Sequence, residues 1–131
     1  MQDETDLNML LRDMQPRSED KPYVFVSLDE EEWQRVAPFA FSMVRELEGI
    51  SVILEASHAE RSGFSTDELW DRITLWVPSA LTAVGFLAVI TAKLAAAGIS
   101  VNPVAGVFHD HLFVPWEKRE EALLLITELS V

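Results

Sequence analysis

A chain of 131 residues is long enough for one compact unit or two very small lobes sharing a core. Its 22 acidic side chains against 10 lysines and arginines give a formal net charge of −12, which repels phosphate backbones and anionic lipid heads and argues against nucleic acid and membrane surfaces as partners. Cysteine is absent, which excludes a disulfide framework, a thiol nucleophile and a thiolate zinc site. The opening Met1-Gln2-Asp3-Glu4 is acidic and no apolar run follows it, so a secretory signal is not expected and a cytoplasmic location is.

Residues 5–14 have helical spacing, with Leu7, Leu10, Leu11 and Met14 on one stripe, Thr5 or Asp6 as N-cap, and Pro16 as the stop. The β-branched and aromatic run 23–28 reads as a strand. The charge run 29–32 is a solvated loop or a helix start, Pro38 disfavours one long helix from there, and 33–44 fits neither pattern. Gly49 precedes a second strand over 50–54, and a short helix over 57–61 is closed by Gly63. The second half is more regular. A strand over 73–77 ends at Pro78, and a helix over 83–97 ends at Gly98. Strands over 99–104 and 109–114 flank a bend at Ala105-Gly106, with Val107-Phe108 leading into the second strand. A last helix over 117–129 carries the stripe Ala122, Leu125, Ile126 and Leu129, with its acidic residues in the first turn. The apolar stretch 80–92 falls short of the ~20 residues a membrane span needs, so it reads as a buried helix. The resulting β-α-β-β-α order predicts an antiparallel sheet with both helices on one face, a ferredoxin-like α+β plan, to which the first half adds at least two strands.

The run Val84-Gly85-Phe86-Leu87-Ala88-Val89-Ile90, continuing through Leu94-Ala95-Ala96-Ala97-Gly98-Ile99-Ser100-Val101-Asn102, resembles the ACT domain. In that family a strand leads through a short loop to a glycine at a helix start, and the helix ends in an alanine-glycine-isoleucine turn into the next strand. The resemblance covers about 73–129 and is greatest to the ACT modules of aspartate kinases. As a whole the chain looks like small bacterial proteins with two ACT-like lobes. The matching stretches there are Leu10 to Pro16, Tyr23-Val24-Phe25 and His109-Asp110-His111-Leu112-Phe113-Val114-Pro115. This resemblance implies a degenerate ACT-like lobe over 1–69 and an ACT domain over 70–131. It also implies a regulatory or sensing protein without catalytic activity of its own, binding a small molecule such as an amino acid, assembling as a homodimer or higher homo-oligomer, and needing no cofactor. Where ACT loops often carry an acidic residue and a proline just before the glycine, this chain has Ala83 and Val84.

The ligand site so implied comprises Ser79, Leu81, Thr82, Val84, Gly85 and Asn102. Backbone N–H groups at a helix start have no intrahelical acceptor and sit at a positive dipole end, which suits a carboxylate. Ser79 and Thr82 add hydroxyls, Gly85 lets a ligand approach, and Asn102 can both accept from an amine and donate to a carboxylate. The same residues also read as a helix cap, a tight packing glycine and a solvated asparagine. His109 and His111 lie two apart in a strand and so share a face. They are weak candidates for a metal site, which needs three or four ligands, and equally fit a hydrogen-bonded interface. His58 is the third histidine. Trp33, Trp70, Trp76 and Trp116 are read as core or interface residues, and Trp76 with Phe113 suggests that the second sheet face is covered. The apolar circumference of the 83–97 helix points to contacts on more than one side and, with the covered sheet face, to lobe–lobe packing or a dimer. No catalytic residues are expected: Ser57, His58 and Glu60 lack any nucleophile-elbow or oxyanion signature. The alternatives are an assembly module without a ligand and, more distantly, a histidine-based metal protein.

Overall fold

The computed structural model describes residues 4–77 and 84–130. They form two compact units, Met1–Asp20 with Asp71–Val131 and Lys21–Trp70. The chain begins with α1 (Glu4–Asp13) and β1 (Pro16–Leu28), and continues with α2 (Glu30–Val36), β2 (Ser42–Arg45), β3 (Ile50–Glu55) and α3 (Ala56–Arg61). It then runs through β4 (Trp70–Leu75), α4 (Phe86–Ala96), β5 (Asn102–Ala105), β6 (Asp110–Pro115) and α5 (Arg119–Glu128). The expected β-α-β-β-α order of the second half is present, and the architecture is α+β and ferredoxin-like.

In the unit formed by the two chain ends, the opening of β1 lies beside β4, followed by β6 and β5. Alternation along the strands puts Ile73, Leu75, Leu112 and Val114 on one sheet face. There they form a core with Phe86, Ile90 and Leu94 of α4 and Ala122 and Ile126 of α5. Met14 is buried in the same core, and Leu7, Leu10 and Leu11 pack against it. Each such aliphatic side chain contributes roughly 1.5–3 kcal/mol on burial. α4 lies against both α1 and α5 as well as over the sheet, which accounts for its apolar circumference within the chain. Its end is a Schellman motif: Ile99 N donates to Leu94 O at 3.0 Å, Gly98 N donates to Ala95 O at 2.9 Å, and Gly98 has φ +74°.

In the Lys21–Trp70 unit the strand order is β2-β3-β1, with both pairings antiparallel. Val24, Leu28, Val52 and Leu54 face Val36 of α2 and Ala56 and Ala59 of α3. α2 opens with a capping box: Asp29 accepts from Glu32 N at 2.8 Å, and Glu32 accepts from Asp29 N at 3.0 Å. α3 closes at Gly63 as its glycine predicts, with Phe64 N donating to Ala59 O at 2.8 Å.

Several local expectations differ from the structure, among them the strand expected over 73–77, which runs over Trp70–Leu75. β1 starts at Pro16 rather than at Tyr23. Its first part is polar and shows no apolar alternation, and it is a strand because it pairs with β4 in the sheet. The unassigned stretch 33–44 holds the end of α2, a short 3-10 turn over Ala37–Phe39 and the edge strand β2. Ile99 is buried in the core as irregular chain, so the strand expected from there begins only at Asn102.

Candidate functional site

Of the residues expected to bind a ligand, Ser79, Leu81 and Thr82 lie outside the described residues. Val84 and Gly85 form the turn into α4. Gly85 has φ +90° and occupies the N-cap position, where it brings no side chain to cap the helix. Only a residue without a Cβ adopts that backbone freely. A Cβ built there would stand 3.6 Å from Leu7 Cδ2, so α1 closes one side of the turn. Val84 is 66% exposed. Asn102 opens the edge strand β5, exposed and opposite Phe113 of β6. It follows the C-terminus of α4, whereas Gly85 precedes the N-terminus. An 11-residue helix is about 16 Å long at ~1.5 Å per residue. The structure therefore joins Val84 to Gly85 and leaves Asn102 at the other end of α4.

The histidine pair stands elsewhere, on the face of this unit's sheet turned away from the helices. Thr74 Oγ1 is 3.0 Å from His111 Nδ1, and the His109 ring lies 4.6 Å from that of Trp76. Arg17 of β1 reaches the same tryptophan, its Cζ 5.5 Å from the ring centroid, and Arg72 pairs with Glu19 at 2.6 Å. Burial, followed by the nearby positive charges of Arg72 and His109, holds His111 below the ordinary histidine range against Asp110 and Glu19. Phe113 on the same face is fully buried while Trp76 is 42% exposed, so that face is covered at one place and open at the other. Among the described residues no group of three His, Asp or Glu side chains could hold a metal ion. His58 belongs to the other unit, where it stacks on Phe39 at 4.5 Å and meets Arg61 through Nδ1 at 2.7 Å.

Sequence reasoning missed a buried polar set at the opening of β4. Asp71 is wholly buried on the helix-facing side and accepts from Ser18 Oγ at 2.7 Å. Burial pushes its carboxyl above the ordinary range, against the opposing effects of that hydrogen bond and of the Arg119 charge. Ser18 Oγ also accepts from Asp20 N at 3.0 Å, which fixes Asp20 at its left-handed φ of +54°. Extending the β4 alternation back past Ile73 would have put Asp71 inside, but a lone acid at a strand start carries no such signal.

An ACT domain family model matches residues 2–70, and a second ACT domain model matches 65–128. The chain belongs to the ACT domain family. Among solved structures this ACT protein is similar to a Vibrio cholerae protein of unknown function described as a possible transport protein. That likeness has 36% identity and a TM-score of 0.84, and covers 97% of this chain and 98% of the other. It shares its fold with an Agrobacterium tumefaciens protein at 18% identity and TM-score 0.67, covering 89% of each chain. It also shares it with the regulatory subunit of aspartate kinase from Thermus flavus at 8% identity and TM-score 0.61, covering 88% of this chain and 95% of that one. None of the curated proteins compared with it matches. ACT domains are regulatory modules that generally bind small molecules and commonly oligomerise. No helix among the described residues is long and apolar enough to cross a membrane.

Proposed function

We propose that this ACT protein is a sensing or regulatory module that binds an amino acid at the turn into α4 and has no catalytic activity of its own. The observation that carries the reading is Gly85: a left-handed N-cap with no side chain of its own stands beside the first N–H groups of a regular helix, and a carboxylate suits such groups. Ser79, Leu81, Thr82 and Val84 would line that turn. Asn102 stands at the opposite end of α4, so it would serve a ligand held at Gly85 only from a second copy. The reading therefore includes a cytoplasmic homodimer or higher homo-oligomer, with the chain divided near 69/70 into a degenerate ACT-like lobe and a ligand-binding ACT domain. Binding across such an interface would shift the balance between two packings and pass the change to a partner protein. A thermal-shift screen with the common amino acids tests this. One or a few should raise the melting temperature at millimolar concentration, and no stabilisation by any of them would leave the assembly role in its place.

A further inference from the structure

A second ligand site emerges on the opposite side of the same unit, independent of the α4 turn. We propose that Arg17, Trp76 and His109 bind a carboxylate carried on an aromatic or apolar body, on the sheet face turned away from the helices. Three elements meet there: β1 supplies Arg17, the residue after β4 is Trp76, and the residue before β6 is His109. The guanidinium stands 5.5 Å from the tryptophan centroid and the imidazole ring 4.6 Å from it.

Charge is the first argument. The chain carries −12, yet Arg17 is exposed and has no carboxylate partner among the described residues; its side-chain contact is Gln15 Oε1 at 3.3 Å. Glu19, the acid on the same face of β1, is already held by Arg72 at 2.6 Å. A guanidinium within cation–π range of an indole keeps its N–H donors for a planar, two-pronged acceptor. The second argument is His109. Its Nδ1 is enclosed and has no hydrogen-bond partner among the described residues, which leaves Nε2 as the ring nitrogen open to a ligand. Gly106 keeps the turn before it tight: its N–H donates to His109 O at 2.9 Å, and a Cβ there would strike that same oxygen at 2.9 Å. The third argument is the apolar surroundings. Trp76 is 42% exposed, and Val107 and Phe108, which lead into His109, are 72% and 76% exposed. One guanidinium and one imidazole match a single carboxylate, and the acidic chain disfavours a phosphate dianion.

The test is a calorimetric and NMR titration of the full chain with phenylacetate, beside 2-phenylethanol and inorganic phosphate. Phenylacetate should bind and move the His109 imidazole and Trp76 indole resonances, while the alcohol and phosphate do not. Arg17→Gln, an exposed change that leaves the fold intact by circular dichroism, should weaken binding roughly tenfold, the scale of one lost charge-assisted hydrogen bond. His109→Gln should weaken it in the same sense. Absence of phenylacetate binding, equal binding of the alcohol, or an affinity unchanged by Arg17→Gln would overturn the proposal.

Discussion

Ser18 shows how much one side chain can hold in this fold. Its hydroxyl donates to the buried Asp71 and accepts from the backbone of Asp20. Removing it leaves a buried carboxylate without that donor, which costs about 1–3 kcal/mol. The Asp71 carboxyl titrates above its ordinary value of 3.8 because burial penalises the charge. As pH falls, the folded protein therefore takes up this proton before the unfolded chain does, and the penalty of holding the charge is relieved. Ser18→Ala should accordingly lose most stability at neutral pH, and the loss should shrink as pH falls through the raised Asp71 value. Urea unfolding of both proteins across that range reads the effect directly. The inward position of Asp71 follows from the β4 alternation, but its pairing with Ser18 was not legible, because a polar run carries no apolar alternation and the partners are 53 positions apart. Gly63 and Gly98 were legible: both end a helix, and both have the positive φ such an end demands.

At the scale of elements, hydrophobic periodicity was informative wherever an element buries one face. α1, β3, α3 and the β-α-β-β-α series could be read from it. It failed for the first part of β1 and for β2, where partner strands decide the conformation and one face is wet. The charge run at Asp29 is the intermediate case, since loop and helix start both fitted until the Asp29–Glu32 capping box was visible. Asp29→Ala should destabilise the protein by about 1 kcal/mol, and Asp29→Ser, which preserves the cap, by much less. Thermal melts of the two variants side by side make the comparison. The apolar circumference of α4 pointed to contact on several sides, and within its own unit α1 and α5 cover it.

For the whole molecule, the ACT matches divide the chain near residues 65–70, while the two compact units divide it after Asp20 and after Trp70. β1 is the reason: its opening belongs to the unit of the chain ends and its remainder to the inserted one. A fragment beginning at Trp70 would lose α1, the first part of β1 and the buried Met14, all from a core it otherwise contains. Such a fragment should lack a cooperative melt and near-ultraviolet circular dichroism. The ACT architecture was thus readable from element order and a few glycines. The ligand turn was readable only as a location, because a helix start and a binding loop share one pattern.

The central claim is that the turn at Gly85 holds an amino-acid carboxylate. Calorimetric titration of the common amino acids into the native protein and into Gly85→Ala tests it most directly. An added methyl has room beside Leu7 at 3.6 Å but sits on a backbone at φ +90°, where an L-residue costs roughly 1–2 kcal/mol and the turn must shift. The account predicts saturable binding of at least one amino acid, greatly weakened in the folded variant. No binding to the native protein, or equal binding to both, would contradict it.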